Sequence, residues 1–543
     1  MYHVIVKVSG LLCMLFLSAS AMASSYTDLV ELFEEWRAFE RPPLKDGAPD
    51  YRADTNLLRA EELKLWQARL NALDISAWPV SEQVDWHLVR AEMNGLAFNF
   101  RVLRPWERDP AFYQSVWTYQ SDTPAHEGPT HHALIELWTY DFPLSDDDAQ
   151  RLARQLDGIP PLLAQAQLNL TGNARELWIG GIRNIKDQAD ALAALADMPG
   201  DAGEGFVQSL AQATEATDEF ISWLVAEGAN KDGPSGIGID DYTWSLRNVH
   251  YIPMTWEEEV RLLQRELDRA WSSLKLEEHN NRDLPPLTPV SSAEEYEQLA
   301  ERSLQTFVQF LGEGDILPPY DYLEPALRAQ MGHFVPAEER NFFYTVSHHE
   351  PLALWTHWYH WFDLARMEAQ PHPSPIRRNA LLYNLWDSRS EGLSTAFEEI
   401  SMHAGLYDSN PRARELVWIM VAQRAARGLG SLQAQANRFT LKEARDFHVQ
   451  RTPRGWMRED LDLLGFEQLL YLRQPGYGTS YITGKAMMDR LIADRAQQLG
   501  DAFSLSRFFY EVDEAGVIPM SLLRWQLTGD DSQIRALMAS PEG

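Results

Sequence analysis

Apolar residues recur every three or four positions along most of this chain, and this spacing constrains its fold more than any other feature. The clearest stripe comprises Trp256, Val260, Leu263, Leu267, Trp271 and Leu274. Such spacing places the apolar side chains on one face of an α-helix. Alternating apolar and polar runs, which are typical of β-strands, are few and short. The sequence therefore predicts an all-α fold built from many helices.

Several helix starts are marked by a serine or threonine with an acidic residue three positions later. These pairs begin at Ser145, Thr255, Ser292 and Thr440. The hydroxyl of such a residue accepts a hydrogen bond from a backbone N–H that the first helical turn leaves without a partner. Each pair therefore predicts that a helix begins there.

The 543 residues are many for one compact unit, and we expect two helical halves. Residues 276–291 are first charged and then rich in proline, which makes them the best linker candidate. The predicted N-terminal half spans residues 24–275. The predicted C-terminal half spans residues 292–543.

The first 23 residues have the pattern of a secretory signal peptide. Lys7 is followed by the apolar run 11–17, and Ala21-Met22-Ala23 is a typical cleavage site. Cys13, the single cysteine, lies inside this segment and follows Leu12 rather than the small residue of a lipoprotein signal. We therefore expect a periplasmic or secreted protein without disulfides, and no transmembrane segment in the mature chain.

The excess of acidic over basic residues limits which molecules this chain can bind. The chain carries 48 basic and 79 acidic residues, a net charge of −31. Nothing in this balance would offset repulsion from nucleic-acid phosphates or from an anionic membrane surface. The charge balance thus argues against nucleic acid as a partner and is compatible with a peptide or small-molecule substrate, above all a cationic one.

The strongest functional signal is the stretch 344–360, which contains four histidines and Glu350. A His-Glu-x-x-His motif on a helix places two imidazoles one turn apart for zinc, with the Glu as general base. Here His349-Glu350 begins such a motif, but the fourth residue after His349 is Ala353. His357 would lie about 12 Å from His349 along a straight helix, too far for one zinc ion to bridge.

A metal site in this stretch therefore requires either of two arrangements. A kink, which Pro351 could signal, would bring the histidines together. Alternatively, the site uses His357 and His360, which are three residues apart on one face. The competing hypothesis is an aromatic core helix whose histidines hydrogen-bond to Glu350, Asp363 or the backbone.

Two further segments bear on this site. Glu391, in Ser390-Glu391-Gly392, would supply the carboxylate ligand, although such a residue is more often a solvated helix start. A second His-Glu pair, at 126–127, is followed by Gly128-Pro129, which disfavours a helix and so a preset ligand geometry.

In the C-terminal part, we expect an exposed tyrosine and an exposed lysine on either side of Gly484. Tyr481 and Lys485 could line a pocket and donate hydrogen bonds to a substrate carboxylate or oxyanion. The alternative is a helix that packs closely against a neighbouring backbone at the glycine.

Three segments carry a family resemblance: Trp106-Glu-Arg-Asp-Pro110, Glu391-Gly392-Leu-Ser-Thr-Ala-Phe-Glu398, and Tyr481-Ile-Thr-Gly484-Lys485 through Gly516-Val-Ile-Pro519. They resemble segments of the bacterial domain-of-unknown-function 885 proteins, and the resemblance covers nearly all of the mature chain. The resemblance implies a large helical protein with a central channel or cavity, similar to zinc metallopeptidases. His349-Glu350 and Glu391 match the family's motif, whereas its Pro-Gly-His-His part corresponds to Ala353-Leu-Trp-Thr356 here.

We therefore expect a periplasmic zinc-dependent hydrolase that acts on peptides or small amides. In this hypothesis His349, Glu391 and one of His357 or His360 hold the zinc ion. Glu350 is the general base, and Tyr481 or Lys485 stabilises the oxyanion. The alternative is a catalytically silent binding protein on an altered metallopeptidase scaffold.

Overall fold

The computed structural model describes residues 24–125, 131–198, 203–461 and 463–539. Regular structure in these ranges is almost entirely helical, which confirms the all-α prediction. The described strands are short: β1 (Leu44–Lys45) pairs antiparallel with β2 (Ala48–Pro49), and β3 (Val116–Trp117) pairs parallel with β4 (Ile135–Glu136). The predicted signal peptide lies outside the described residues.

The helices before residue 281 form the first part of the scaffold. They are α1 (Tyr26–Glu40), α2 (Ala53–Asn71), α3 (Val80–Phe98), α4 (Pro105–Arg108), α5 (Asp146–Leu156), α6 (Ile159–Asn169), α7 (Arg175–Ala196), α8 (Gly203–Gly228), α9 (Ile239–Asn248) and α10 (Trp256–Asn280).

The helices after residue 290 carry the histidine-rich stretch and most of the buried polar groups. They are α11 (Ala293–Glu313), α12 (Leu323–Arg328), α13 (Phe342–His349), α14 (Pro351–Trp355), α15 (Tyr359–Ala369), α16 (Asp387–His403), α17 (Ala413–Gln435), α18 (Leu441–Arg451), α19 (Leu463–Arg473), α20 (Tyr477–Leu499), α21 (Leu505–Ala515), α22 (Met520–Thr528) and α23 (Ser532–Met538).

The predicted helix starts are confirmed. The hydroxyls of Ser145, Thr255, Ser292 and Thr440 each accept a hydrogen bond, at 3.2 to 3.3 Å, from the backbone N–H three residues later. These residues begin α5, α10, α11 and α18, where they satisfy donors that the helix cannot.

The described residues form one large and two smaller apolar clusters. The second in size is formed mainly by α5 to α8 and the segment 106–116. The larger one draws on residues from Leu29 to Leu537 and surrounds α16 and α17, which are buried along almost their whole length. Glu391 lies on α16, and the division of the chain at 276–291 stays a prediction.

The described helices can be compared directly with the length and hydrophobicity that a membrane-spanning helix needs. None of their helices is both long and apolar enough to span a bilayer.

Glu259 of α10 is a fully buried carboxylate without an ion-pair partner among the described residues. It accepts hydrogen bonds from the hydroxyls of Tyr242, at 2.7 Å, and Thr483, at 2.8 Å. Burial raises the pKa of Glu259 to about 7, against the opposing effect of these hydrogen bonds.

Glu259→Gln should stabilise the protein at pH 8.5 and have little effect at pH 5. The carboxyl is easier to ionise in the unfolded chain, so ionisation lowers the stability progressively above about pH 4.5, and the full cost is present above about pH 7. A pKa difference of this size corresponds to about 3 kcal/mol. Urea unfolding at the two pH values measures the effect. Equal changes at both values, or a change matched by the neighbouring Glu257→Gln, would contradict the prediction.

Candidate metal centre

The histidine-rich stretch forms a helix that is broken twice. After α13 ends at His349, Glu350 adopts extended backbone angles, φ −157° and ψ 102°. The residue before a proline is sterically disfavoured in the helical conformation, and Pro351 follows. A 3₁₀ turn over Thr356–Trp358 then separates α14 from α15. The straight helix that would separate His349 from His357 by about 12 Å is therefore not present, and the hypothesis of a break near Pro351 is confirmed.

The second break places two histidines beside one carboxylate. His357 lies in the 3₁₀ turn, and His360 lies in the first turn of α15. The Nε2 atoms of His360 and His357 lie 3.0 and 3.6 Å from the same atom, Glu391 Oε2. Within the described ranges, no other three His, Cys, Asp or Glu side chains bring ligand atoms within 4.8 Å of one another. The structure thus brings together three of the four candidate ligands, His357, His360 and Glu391, and His349 is not among them.

The spacing of these three atoms fits a small divalent ion. Zinc bonds of about 2.0–2.2 Å in a tetrahedral arrangement place neighbouring ligand atoms roughly 3.4 Å apart. The distances of 3.0 and 3.6 Å to Glu391 Oε2 lie on either side of this value. Two imidazoles and one glutamate are also the ligand set of several zinc hydrolases. These donor types suit zinc, the two distances to Glu391 Oε2 are compatible with a shared ion, and all three ligand atoms lie within 4.8 Å of one another.

His360 Nδ1 and Glu391 Oε1, the atoms that face away from the three-residue cluster, each contact a neighbouring hydroxyl group. His360 Nδ1 lies 2.9 Å from the hydroxyl of Ser390, and Tyr477 donates a hydrogen bond to Glu391 Oε1. Partners of this kind fix the orientation and tautomer of a metal-binding histidine and restrain a metal-binding carboxylate. The inner atoms, His360 Nε2 and Glu391 Oε2, consequently face each other.

Glu398 lies next to the other imidazole. His357 Nδ1 is 3.0 Å from Glu398 Oε1, although the two atoms are poorly aligned for a hydrogen bond. Arg424 of α17 binds both oxygens of Glu398, at 2.6 and 2.9 Å. Glu398 and Arg424 are both almost inaccessible to solvent, so each would be costly to bury without the other.

The protonation of His360 is governed by Glu391. Burial disfavours the charged imidazole, but the adjacent carboxylate outweighs that effect and raises the pKa of His360 to about 9. Burial also disfavours the carboxylate, yet His360 and His357 keep the pKa of Glu391 well below its usual range. A cation that binds these atoms would therefore displace a proton from His360 at neutral pH.

Two glycines allow α16 and α20 to cross closely beside this cluster. A Cβ atom on Gly392 would lie 2.5 Å from Gly484 Cα, and one on Gly484 would lie 2.1 Å from the carbonyl oxygen of Ser388. A side chain at either position would force the helices apart. The close crossing is what brings Tyr477 of α20 within hydrogen-bond distance of Glu391 on α16.

Gly484→Ala should destabilise the protein by about 2–4 kcal/mol because the added methyl group would overlap the α16 backbone. Urea unfolding measures this loss. Gly312→Ala in α11 is a matched control, since its Cβ would meet no atom within 4 Å. We expect the control to keep or slightly raise the stability, by up to about 1 kcal/mol. A similar small effect for both variants would contradict the close crossing.

His349 and Glu350 are engaged outside the three-residue cluster. His349 Nδ1 lies 2.7 Å from a backbone carbonyl oxygen one turn earlier, and its ring stacks on Trp456. Glu350 caps α14 by accepting a hydrogen bond from the N–H of Leu352 at 3.3 Å, and it accepts another from the Asn410 amide at 2.8 Å. The roles of His349 as ligand and of Glu350 as general base stay predictions.

Tyr481 and Lys485 have different surroundings from those that the sequence suggests. Both are buried, because α20 packs along α16, so the expectation of an exposed pair is wrong. The Tyr481 ring stacks on His357 with 6.1 Å between ring centroids. Lys485 Nζ instead lies 2.9 Å from Glu399 and 2.8 Å from Asp489. Tyr481 therefore borders the cluster, whereas Lys485 is held by two carboxylates.

The second His-Glu pair, at 126–127, lies outside the described residues. The histidines that follow it have other partners: His132 Nε2 lies 2.9 Å from Glu40, and the His131 ring packs against Tyr51 and Phe112.

Three residues around the cluster were not predicted for these roles. The position of Glu398 near the cluster could have been predicted, because Glu398 follows Glu391 by seven residues and so lies on the same helix face. Tyr477 and Arg424 come from other helices, and no local pattern relates them to the histidines. Their contribution follows only from the packing of α16 between α17 and α20.

Two solved structures share this fold. One is a candidate lipoprotein of unknown function from Shewanella oneidensis, with a TM-score of 0.67, 16% identity, and coverage of 94% of this chain and 100% of that one. The other is a candidate lipoprotein from Colwellia psychrerythraea, with a TM-score of 0.63, 13% identity, and coverage of 94% and 99%. No protein-family profile and no curated protein matches the sequence. At these identities the similarity establishes the large helical fold alone.

Proposed function

We propose that this chain is an extracytoplasmic metal-dependent hydrolase that acts on peptides or similar small amides. The observation that carries the proposal is the convergence of His357, His360 and Glu391, with ligand-atom distances of 3.0 and 3.6 Å. We assign these three residues as the ligands of a zinc ion. The family resemblance, which rests on His349-Glu350 and Glu391, supports the same reaction class.

The proposed location rests on two supporting observations. The N-terminal sequence has the pattern of a signal peptide. The structural neighbours are described as candidate lipoproteins, which are extracytoplasmic proteins. Fractionation of cells that express the full chain tests this location, and recovery of the protein with the cytoplasmic fraction would contradict it.

The role of each side chain follows from its contacts. A zinc ion held by the cluster would act as a Lewis acid that polarises a substrate carbonyl. Ser390 and Glu398 lie beside the outer nitrogens of the two imidazoles, and Tyr477 restrains the outer oxygen of Glu391. Tyr481, which stacks on His357, is the proposed hydrogen-bond donor to the substrate oxygen.

A second candidate function is a catalytically silent binding protein. The specific observation in its favour is the position of Glu350, whose carboxylate already accepts hydrogen bonds from Leu352 and Asn410. A general base must reach the proton that it abstracts. If Glu350 only caps α14, the chain lacks the base that the family resemblance assigns to it.

Metal content and turnover, measured on the same preparation, test the proposal. The protein without residues 1–23 should contain close to one zinc ion per chain and cleave members of a mixture of short peptides. A chelator should stop the cleavage, and added zinc should restore it. Zinc far below one equivalent that does not change in His360→Ala would overturn the metal assignment.

The Glu350→Gln variant distinguishes the two candidate functions. Hydrolysis by the wild type that is lost in Glu350→Gln would reject the silent binding protein. Conversely, zinc-loaded wild type that cleaves nothing, together with unchanged thermal stability of Glu350→Gln, would reject the hydrolase.

A further inference from the structure

A cavity of about 190 Å³ lies between α15, the loop before α16, and the end of α21. The apolar part of its wall includes Met367, Ala380, Leu381, Trp386 and Val517. The exposed residues Gln370 and Asn379 also border it, so the cavity opens to solvent. Apolar walls with a few polar groups are typical of small-molecule sites. Since a cavity of about 150 Å³ accommodates benzene, this one has room for a ring with a small substituent.

Asp513 of α21 places one carboxylate oxygen at this cavity. The residue is only 7% exposed. Its Oδ1 accepts a hydrogen bond of 2.8 Å from the Tyr359 hydroxyl and lies 3.4 Å from Arg389 Nη2. Its Oδ2 has no hydrogen-bond partner among the described residues, yet it is not one of the polar atoms that are sealed from solvent. A carboxylate oxygen in such surroundings is unfavourable unless a ligand supplies a donor.

The cation that pairs with Asp513, Arg389, is shared with a second carboxylate. Nη1 and Nη2 of Arg389 donate hydrogen bonds to the two oxygens of Asp363, at 3.0 and 3.1 Å. This bidentate pairing leaves Asp513 only the longer contact of 3.4 Å. Burial raises the pKa of Asp513 to about 7, against the opposing effect of Arg389. The protein itself therefore stabilises the ionised form of Asp513 poorly, and an added cation would stabilise it.

The other charged groups on the cavity wall have protein partners. Arg366 Nη2 donates a hydrogen bond to Glu514, and Arg366 forms no ion pair with Asp513 in the described part of the chain. Its Nη1 has no partner, but this atom is sealed from solvent and hence from a ligand. Arg377 is held by Asp85 of α3. The charge of Asp513 is therefore the one that the wall matches least, which favours a ligand of positive charge.

We propose that this cavity binds a primary ammonium group on a compact apolar body, such as the amino terminus of a peptide. The ammonium donates hydrogen bonds to Oδ2 of Asp513, and the body contacts the wall formed by Met367, Leu381 and Trp386. The observations that carry this inference are the accessible, unpartnered oxygen of a buried carboxylate and the paired state of the other charges. A cationic ligand also suits the net charge of −31, which attracts cations from solution.

The cavity and the metal cluster are adjacent along two helices. Asp363, which borders the cavity, follows His360 by three residues on α15, about 4.5 Å along the helix axis. Arg389, which pairs with Asp513, precedes Glu391 by two residues on α16. If the proposed hydrolase function holds, the cavity is where the free amino group of a peptide substrate binds. Only this last assignment rests on the proposed function, because binding of an amine to the cavity requires no metal.

Isothermal titration of the metal-free mature chain with benzylamine and benzyl alcohol at about pH 7.5 tests the inference. The two probes share their aromatic ring and differ in the charged group. We expect benzylamine to bind at least about tenfold more tightly than the alcohol. Asp513→Asn should weaken benzylamine binding by about tenfold or more and leave the affinity for benzyl alcohol within about twofold. Retained binding of the alcohol also shows that this variant keeps the cavity folded.

Two further variants test the position of the site. Val517→Phe should weaken binding of both probes by about tenfold or more, because the larger side chain fills the cavity that Val517 borders. Glu514→Gln is the matched control, since it removes the neighbouring carboxylate, whose charge Arg366 already matches. We expect this control to leave both affinities within about threefold of the wild type.

The same titration separates this inference from the proposed function. Equal affinity for amine and alcohol, or an unchanged amine affinity in Asp513→Asn and Val517→Phe, would overturn the ammonium site without bearing on the metal assignment. Binding of benzylamine that persists in Glu391→Gln supports a site independent of the metal ligands. Binding that disappears in Glu391→Gln but survives in both cavity variants would place the amine at the metal cluster and overturn the inference.

The assignment to a substrate's amino group has its own test on the zinc-loaded protein. A short peptide with a free amino terminus should be cleaved faster than its N-acetylated form, and Asp513→Asn should raise the KM for the free peptide alone. Equal cleavage of the two peptides would overturn this assignment. Absence of any cleavage would contradict the proposed function instead, and the titration result would still decide whether the cavity binds amines.

Discussion

Glu391→Gln should weaken zinc binding by more than about 100-fold. Both imidazole Nε2 atoms approach Glu391 Oε2, so the carboxylate is the shared element of the cluster. A neutral amide is a poorer ligand and also removes the negative charge that offsets the cation. Loss of an outer partner of a metal ligand already costs about 10–100-fold in affinity, and loss of a ligand itself should cost more. Competition with a chelator of known affinity measures the change.

His349→Ala is the matched control for this prediction. His349 belongs to the same histidine-rich stretch, but its contacts are to a backbone carbonyl and to Trp456. We expect its removal to leave the zinc affinity within about threefold of the wild type. Equal losses in Glu391→Gln and His349→Ala would show that the ligand set has been assigned incorrectly.

Arg424→Leu should destabilise the protein by about 3–5 kcal/mol, because it leaves the Glu398 carboxylate buried without a cation. Glu398 has no measurable exposure, and Arg424 binds both of its oxygens. Urea unfolding of the metal-free protein measures the loss. A cost below about 1 kcal/mol would mean that solvent or another group already stabilises this carboxylate.

The double variant Glu398→Leu/Arg424→Leu separates the stability of this pair from its effect on the metal. Replacing both partners by apolar groups removes the unpaired charge, so most of the lost stability should return. Zinc affinity should nevertheless fall by about 10–100-fold, because His357 Nδ1 loses the carboxylate beside it. Recovery of both properties in the double variant would contradict the role of Glu398 in orienting His357.

The features that could be predicted from sequence are those set by nearby residues. The caps at Thr255 and Thr440 depend on contacts three residues apart, and the stripe from Trp256 to Leu274 depends on helical periodicity. The break before Pro351 is likewise a local steric effect. Local rules therefore specify where helices begin, break and face the core.

The candidate site was predictable only in part. His357 and His360 are three residues apart, so their proximity follows from the local backbone. Glu391 was a candidate as a carboxylate on a following helix, but its place beside these histidines depends on the packing of α15 on α16. The burial of Lys485 could not be predicted from neighbouring residues, because it depends on a distant helix that packs against α20.

Zinc-edge anomalous diffraction from crystals grown with zinc tests the central claim most directly. The account predicts one strong peak within about 2.0–2.2 Å of His357 Nε2, His360 Nε2 and Glu391 Oε2. The absence of a peak at these three atoms would contradict it, and so would a peak bound to His349 instead.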